Sequence, residues 1–135
     1  MCAICQLPYI APLEYAVIYH YRPCGQDRGM AVVHHRGLKL SPLTITSECR
    51  TFESLTVKPS VAGRNLNLGP VYRPPSSSAF DVPISQFCTE LVDFLDELLM
   101  LPLLCGDFNC PNSAGAVNSQ LLEVLSDCSM FQVVD

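Results

Sequence analysis

The spacing of apolar residues changes near residue 80 and divides the chain into two predicted parts. In the first part, short runs of aromatic and β-branched residues are separated by Gly and Pro, which is typical of strands joined by turns. The predicted strands cover residues 14–22, 30–34, 52–57 and 65–72. Residues 38–46 alternate only in part and contain Pro42, which favours an edge strand or an irregular segment. The first part is therefore predicted to be a meander of strands.

In the second part, apolar residues recur at the spacing of a helix. The positions of this stripe are Ile84, Phe87, Cys88, Leu91, Phe94, Leu95, Leu98 and Leu99. Asp81 is predicted to cap the helix and Pro102 to stop it. The spacing thus predicts one amphipathic helix from residue 81 to about residue 101.

The end of the chain is predicted to contain a strand, a second helix and a further extended segment. Residues 103–105 predict a short buried strand, and Asn118 or Ser119 is expected to cap the second helix. Its apolar stripe is Leu121, Leu122, Val124, Leu125 and Cys128. Residues 131–135 predict the start of another strand. Strands followed by helix, strand and helix favour an α/β sandwich.

Length and composition restrict the classes of protein. The chain has 135 residues, of which 49% are hydrophobic and 16% are charged, with a mean hydropathy of +0.26. This is the size of one domain, and it is too apolar for a disordered chain. The longest apolar run, residues 98–105, is eight residues long, far short of the ~18 that a membrane-spanning helix needs. We therefore expect a soluble protein without a membrane partner.

Charge is distributed unevenly along the chain. The net charge is −5, yet the first 75 residues carry +4, with all eight Lys and Arg residues, and the remaining 60 carry −9. Such a split can mark a site where one side meets an anion and the other a cation. The alternative is a helix with an acidic, solvated face. We expect much of the negative charge to lie on the outer face of the first helix.

Cysteine spacing gives little support for a metal or disulfide framework. Cys2 and Cys5 form the one C-x2-C pair, and no paired histidines follow at zinc-finger spacing. The N-terminus lacks the basic start and long apolar run of a signal peptide. We therefore expect reduced thiols, no disulfide partner and an intracellular protein of the nucleus or cytoplasm. The cysteines predicted to pack as small hydrophobes are Cys88, Cys105 and Cys128.

Two loops after predicted strands carry candidate chemistry. Tyr72 and Arg73 end one strand, and Asp107 and Asn109 follow the next. At the strand ends of an α/β sheet, such polar residues can share one crevice. Arg can bind a phosphate, Asp can activate a water, Asn can hold that water, and Tyr can donate to the phosphate. The period-two spacing of Asp107 and Asn109 places both on one side, with Phe108 facing the core.

Each loop also has a simpler interpretation. Gly-Asp-Phe-Asn at residues 106–109 can be an Asx turn, and Tyr-Arg-Pro-Pro at residues 72–75 can be a polyproline-type loop. The combination of the two loops is more specific than either alone. Val-Tyr-Arg-Pro-Pro at 71–75 together with Leu-Cys-Gly-Asp-Phe-Asn at 104–109 resembles the endonuclease/exonuclease/phosphatase superfamily. The resemblance is nearest to the endonuclease-like domains of non-LTR retrotransposons, which are often followed by a reverse transcriptase.

The resemblance covers residues 13–135 and includes several strands. Residues 28–33 are similar to the family's Gly-rich hairpin strand, residues 52–55 to its central strand, and residues 131–135 to the segment after its late helix. It implies a DNase I-like fold of two packed sheets with helices outside, and a Mg²⁺-dependent phosphodiesterase acting on DNA. Asp107 would orient and activate the attacking water beside Asn109, Tyr72 would bind the scissile phosphate, and Arg73 would lie near the nucleic-acid backbone.

Part of the family's site has no counterpart in this sequence. Residues 1–12 contain neither the Asn nor the metal-binding Glu expected there, and no Ser-Asp-His segment occurs. Glu14 falls after the expected position, and His20, His34 and His35 match no catalytic position. Because catalytic groups act as a unit, we expect no DNA nicking by this chain alone. Residues 1–12 are thus predicted to be a non-matching segment, and residues 13–135 a partial domain truncated at both ends.

Three other functions stay open at the level of sequence. The chain can be a catalytically dead remnant that acts as a structural or interaction module. It can also be a phosphatase of the same superfamily, because the loops that select the substrate lie partly outside the matched region. The third alternative is a small thiol or zinc protein that uses Cys2 and Cys5.

Overall fold

The fold was analysed in a computed structural model that describes residues 3–4, 11–21, 29–64, 66–75, 82–98, 101–110, 118–131 and 133. A smaller antiparallel sheet contains the strands β1 (Ala3–Ile4), β2 (Tyr15–Tyr21) and β3 (Gly29–His35), in the order β1-β2-β3. The register of β2 and β3 runs from Tyr15 opposite His35 to Tyr21 opposite Gly29. The predicted pairing of these two strands is confirmed.

The larger sheet is built around its central strand. Its members are β4 (Leu40–Pro42), β5 (Glu53–Ser54), β6 (Val57–Pro59), β7 (Leu66–Tyr72) and β8 (Leu101–Asp107). β8 pairs with β7 in parallel, whereas β5 and β6 pair with it antiparallel. β4 pairs with β6 at the edge, as Pro42 predicted.

Residues 52–57 form two short strands where the sequence predicted one. Glu53 opposite Tyr72 and Val57 opposite Leu68 belong to the same antiparallel register along β7. Between β5 and β6, the carbonyl of Thr56 accepts a hydrogen bond from the Leu43 amide at 2.9 Å. This bond continues the register of β4 with β6 by one residue, while the pairing with β7 is interrupted at residues 55–56.

The first predicted helix is confirmed as α1 (Ile84–Leu98). Its buried residues all belong to the predicted stripe: Phe87, Cys88, Leu91, Phe94, Leu95 and Leu98. The predicted N-cap, Asp81, and Leu99 lie outside the described residues. Pro102 does not mark the helix end, because α1 already ends at Leu98 and Pro102 lies within β8. β8 is accordingly longer than the predicted 103–105 strand.

The second helix, α2 (Ser119–Asp127), begins where the sequence predicted. The Oδ1 atom of Asn118 accepts a hydrogen bond from the Gln120 amide at 2.9 Å, which is a normal N-cap. Leu121 is buried, but Leu122 is 44% exposed, so the prediction that Leu122 belongs to the apolar stripe is wrong. In a nine-residue helix that packs along one side, adjacent leucines face different directions.

The last described residues do not form the predicted strand. Phe131 and Val133 lie in no strand and are 82% and 76% exposed, respectively. The rest of that predicted segment, Gln132 and residues 134–135, lies outside the described residues. In the described part of the chain, no helix combines the length and apolarity that crossing a bilayer requires.

In the described part of the chain, the elements form three layers, an α/β arrangement of two sheets and two helices. One apolar cluster, centred on Ile18, Leu55 and Val57, packs the smaller sheet against the larger one. A second cluster joins Phe52, just before β5, and Val71 of β7 to both helices. The larger sheet is therefore covered by the smaller sheet on one face and by α1 and α2 on the other.

Two carboxylates of α1 hold the segment 46–51, which we call the strap. Glu97 accepts hydrogen bonds from the Thr46 amide at 2.7 Å and from the amide and hydroxyl of Ser47. Two turns earlier, Glu90 accepts bonds from the amides of Arg50 and Thr51, both at 2.9 Å. These two carboxylates are thus structural, and the expected solvated acidic face describes α1 only in part.

The bonds between the strap and α1 should make the protein less stable at acid pH. Burial acts to raise the pKa of Glu90, but hydrogen bonds from Thr51 and Arg50 outweigh it and place that pKa below its ordinary value of 4.5. Bonds from Ser47 and Thr46 likewise lower the pKa of Glu97. A lowered folded-state pKa gives stability that is present above the unfolded value and is lost as the pH falls through the folded value.

We therefore expect the free energy of unfolding to fall as the pH drops below the ordinary glutamate value of 4.5, and the double variant Glu90→Gln/Glu97→Gln to lose less over the same acid range. Urea unfolding at a series of pH values measures this difference. Glu123→Gln/Asp127→Asn, at two exposed positions of α2, controls for the loss of two negative charges. A double variant with the same pH slope as the wild type would contradict the role given to the strap.

Candidate functional site

The two predicted loops meet at one edge of the larger sheet. β7 and β8 are parallel, and their register places Tyr72 directly opposite Asp107. The Arg73 amide extends this pairing by donating to the Asp107 carbonyl at 2.9 Å. The carboxyl ends of the two strands therefore bring together the residues that the sequence assigned to phosphate chemistry.

Gly106 allows the two strands to approach each other at this edge. Its φ of +140° lies in the region that favours glycine, and a Cβ atom at this position would lie 1.8 Å from the Val71 carbonyl oxygen. No side chain fits there without separating β7 from β8. The glycine that precedes Asp107 is thus required by the strand contact that positions Asp107 beside Tyr72.

Tyr72 and Asp107 lie on the face of the sheet that points away from the helices. Val71 packs in the helix-side cluster, and side chains alternate along a strand, so Tyr72 faces the other way. Tyr72 is 36% exposed and Asp107 is exposed. Residues directly opposite in neighbouring strands share a face, which gives the phenol and the carboxylate access to the same ligand.

Glu53 is a neighbour of this site that the sequence reasoning did not include. It lies opposite Tyr72 in β5, on the side of β7 away from β8, and it is 8% exposed. Tyr72 therefore has a carboxylate-bearing neighbour on each side. The alternation of residues 52–57 indicated the face of Glu53, but only the register with β7 shows that it adjoins Tyr72.

Asn109 is positioned by a turn rather than by strand alternation. β8 ends at Asp107, and Asn109 has a positive φ of 42°. Its amide donates to Oδ1 of Asp107 at 3.1 Å, which is the Asx turn that the sequence left open. Phe108 packs against the helix-side cluster, as predicted. The turn holds the Asp107 carboxylate and the Asn109 backbone together.

Arg73 is buried, in contrast to the expected position near a nucleic-acid backbone. The residue is 2% exposed and turns to the helix face of the sheet. Its Nη1 atom donates to the Asn109 carbonyl at 2.6 Å and its Nη2 atom to the Val82 carbonyl at 3.0 Å. The guanidinium carbon lies 5.4 Å from the centre of the Phe87 ring. In β-strand alternation, the residue after an outward-facing Tyr72 faces inward, which explains the burial.

The cysteines of the described residues are free thiols, namely Cys49, Cys88, Cys105, Cys110 and Cys128. Burial, helped by the nearby acids of α1, raises the pKa of Cys49 to about 11. Burial also raises the pKa of Cys88, which packs in the helix-side cluster as predicted. The prediction for Cys105 is wrong, because β8 directs its side chain to the exposed face. Cys2 and Cys5 lie outside the described residues.

The histidines support the smaller sheet. The rings of His35 and Tyr15 are nearly perpendicular with centres 5.7 Å apart, and Nδ1 of His35 accepts a hydrogen bond from the Gly37 amide at 3.0 Å. His20 is exposed and His34 is half-buried, and both lie in strands of the smaller sheet. They are thus on elements other than the β7–β8 edge.

Among the residues that the structure describes, Tyr72 and Asp107 lie at an open edge of the sheet. A cavity of about 630 Å³ lies beside it, lined by polar side chains such as Glu53 and Ser54 and by apolar ones such as Phe52 and Phe94. Neither Tyr72 nor Asp107 lines this cavity. An exposed edge is accessible to an extended polymer, whereas small-molecule ligands are mostly enclosed by their sites.

No protein-family model and no curated protein matches the chain.

Proposed function

We propose that the edge formed by Tyr72, Asp107 and Asn109 is the phosphate-binding and water-activating part of a Mg²⁺-dependent phosphodiesterase site that acts on DNA. The domain would then be a DNase I-like member of the endonuclease/exonuclease/phosphatase superfamily, similar to the endonuclease-like domains of non-LTR retrotransposons. The observation that carries the proposal is the parallel pairing that places Tyr72 opposite Asp107.

The architecture supports this proposal at a coarser level. Two packed sheets with helices on an outer face suit a two-sheet α/β sandwich. The loops at residues 71–75 and 104–109, which carry the resemblance, are distant in sequence but end two adjacent strands. The parallel pairing brings the two loops to one edge, so residues of both can act on the same ligand, as a common function requires.

The chemistry of each side chain fits phosphodiester hydrolysis. Asp107 is exposed, so its carboxylate can orient a water molecule and accept its proton. The Tyr72 hydroxyl can donate a hydrogen bond to a phosphate oxygen on the same face. The Nδ2 atom of Asn109 donates to the Arg73 carbonyl at 2.6 Å, which fixes its side-chain amide beside Asp107. The three groups differ in role and share one edge.

The donor set fits a Mg²⁺ ion that is held jointly by the protein and its substrate. Among the described residues, no group of three or more His, Cys, Asp or Glu side chains is placed to hold a metal. Mg²⁺ usually needs only one or two carboxylates, with water and substrate phosphates as its other ligands. Asp107 is the exposed carboxylate that could serve in this way. When bound, Mg²⁺ stabilises the negative charge that develops on the phosphate.

The proposal predicts that the Asp107 carboxylate weakens DNA binding in the absence of Mg²⁺ and strengthens it in the presence of Mg²⁺. Without Mg²⁺, the Asp107 carboxylate repels a phosphate, so Asp107→Asn should bind a DNA duplex about fivefold more tightly than the wild type, corresponding to roughly 1 kcal/mol for one charge near the surface. With Mg²⁺, the wild type should gain affinity and Asp107→Asn should not. Fluorescence anisotropy of a labelled duplex, with EDTA or with Mg²⁺, measures both effects.

Asp127→Asn is the matched control, because Asp127 lies at the end of α2 and carries the same charge. It should respond to Mg²⁺ as the wild type does. An equal Mg²⁺ effect in wild type and Asp107→Asn would contradict the proposed site. DNA binding that is insensitive to both Mg²⁺ and Asp107 would instead support the alternative of a catalytically inactive interaction module.

A further inference from the structure

Arg73 joins three parts of the candidate site that are separate in sequence. It follows β7, its Nη1 atom bonds to the Asn109 carbonyl after β8, and its Nη2 atom bonds to the Val82 carbonyl before α1. The planar guanidinium can reach two carbonyls at once because its donors have a fixed, forked arrangement. The side chain thus links the two strand ends to the start of the helix beneath them.

The link between Arg73 and Asn109 is reciprocal. Arg73 donates through Nη1 to the Asn109 carbonyl, and Asn109 donates through Nδ2 to the Arg73 carbonyl, both at 2.6 Å. The Arg73 amide also bonds to the Asp107 carbonyl, and the Asn109 amide bonds to the Asp107 side chain. The backbone of Asp107 and the orientation of its carboxylate therefore depend on the same small network.

The burial of Arg73 argues against direct contact with a phosphate. The residue is 2% exposed, and Phe87 lies against its guanidinium. Among the described residues, no carboxylate forms an ion pair with it and its Nε atom has no hydrogen-bond partner. Taking a charged group out of water is costly. Two charge-assisted bonds to carbonyls offset that cost, and both act on the backbone around the site.

We infer that Arg73 is a positioning residue, which holds Asp107 and Asn109 in place for metal and phosphate binding and does not itself bind the substrate. The inference rests on the proposed function of the edge and adds a role to it. Lysine would keep the charge but would lose the two-carbonyl fork, because an ammonium group is a point charge on a flexible stem. The shape of the guanidinium, and not its charge alone, is required.

Arg73→Lys separates the positioning role from a phosphate contact. The first measured quantity is the Mg²⁺ enhancement, defined as the ratio of duplex affinities with and without Mg²⁺. The second is the slope of log affinity against log salt. A positioning role predicts that Arg73→Lys lowers the enhancement severalfold and leaves the slope unchanged. Arg73→Gln should do the same, whereas loss of a phosphate contact would reduce the slope by about 1.

Arg64→Gln is the matched control. Arg64 is an exposed arginine in the turn before β7, and it precedes the first residue of that strand, whereas Tyr72 is its last. It should leave the Mg²⁺ enhancement unchanged. A reduced slope in Arg73→Gln, or an unchanged enhancement in Arg73→Lys that remains folded by circular dichroism, would overturn the inference.

Asn109→Asp tests the other half of the link, the bond from Asn109 Nδ2 to the Arg73 carbonyl. It keeps the shape of Asn109, removes this donor and adds a carboxylate to the turn that holds Asp107. By charge alone it would raise the Mg²⁺ enhancement, whereas loss of positioning lowers it. We expect a decrease, and an increase would contradict a positioning role for the bonds between Arg73 and Asn109.

Failure of the proposed function has a different signature. If the wild type shows no Mg²⁺ enhancement, the function is wrong, and amide hydrogen exchange then decides on Arg73. Positioning predicts at least about tenfold faster exchange of the Asn109 amide in Arg73→Lys, compared at matched global stability. Unchanged exchange would show that Arg73 does not hold the turn.

Discussion

Gly106→Ala should destabilise the protein by about 3–5 kcal/mol, which combines the cost of a strained backbone conformation with the cost of overpacking. A Cβ atom at this position would lie 1.8 Å from the oxygen and 2.8 Å from the carbon of the Val71 carbonyl. Both are backbone atoms of the paired strand, so no side-chain rotation relieves the clash. The φ of +140° adds strain that alanine cannot avoid.

Gly63→Ala provides a matched comparison. Gly63 also has a positive φ, +72°, but nothing lies within 4 Å of the position of its Cβ atom. Alanine there should cost only the left-handed conformation, about 1–2 kcal/mol. Urea unfolding of both variants compares the two costs directly. Equal destabilisation would show that the strand contact at Val71 relaxes easily, and that Gly106 is needed for its φ alone.

The loss of about 3–5 kcal/mol expected for Gly106→Ala is a large part of the 5–15 kcal/mol that typically stabilises a domain. It would act at the pairing of Val71 with Gly106, one residue before Tyr72 and Asp107. As Gly106→Ala is unfolded with urea, the Mg²⁺ enhancement of DNA binding should therefore be lost at a lower urea concentration than the helical circular dichroism signal. The same glycine thus supports both the sheet and the proposed site.

The parts of the fold that the sequence predicts are those with strong local patterns. The helical stripe from Ile84 to Leu98 repeats over four turns, and the observed helix buries six of its positions. The Asn118 cap was recognisable because its side chain bonds to its own helix. The pairing of β2 with β3 follows from two β-rich segments close in sequence. In each case, the controlling interactions are short in sequence separation.

The features that the sequence did not predict depend on contacts between distant residues. Glu90 and Glu97 look like members of an acidic surface, and only the position of the strap shows that they accept backbone hydrogen bonds. Leu122 satisfies a helical spacing but faces solvent, because α2 packs through Leu121. Charge and spacing alone do not show which side of an element is covered.

In the candidate site, too, some features could be predicted from local sequence and others depend on contacts between distant residues. The two loops could be recognised and their meeting expected, because the ends of parallel strands lie at one edge. The role of Arg73 could not be predicted, because a loop arginine is usually exposed. Its burial depends on contacts with Phe87 in α1 and with Val82 just before that helix. Glu53 was likewise hidden, since its relation to Tyr72 is set by register.

Phe87→Ala should cost about 3–5 kcal/mol, the usual range for removing a buried aromatic side chain. Phe87 is 0% exposed, and its ring packs perpendicular to that of Phe52 with centres 5.5 Å apart. It also lies 6.5 Å from the Phe108 ring and 5.4 Å from the Arg73 guanidinium. One side chain therefore supports the core and the two loops of the site.

Phe131→Ala is the matched control, because Phe131 is 82% exposed and its removal should change stability by no more than about 0.5 kcal/mol. Urea unfolding measures both variants. Phe87→Leu separates the two roles of the ring, since leucine restores most of the apolar volume but offers no aromatic face to the guanidinium.

The Phe87 ring lies against the Arg73 guanidinium, so it can both fill the core and position this side chain. If the ring positions the guanidinium, Phe87→Leu should recover most of the stability lost in Phe87→Ala and still show a reduced Mg²⁺ enhancement of DNA binding. If Phe87 serves the core alone, leucine should recover both properties. Recovery of the enhancement by leucine would therefore limit Phe87 to a packing role and assign the positioning of the turn at Asp107 to its hydrogen bonds with Arg73 and Asn109.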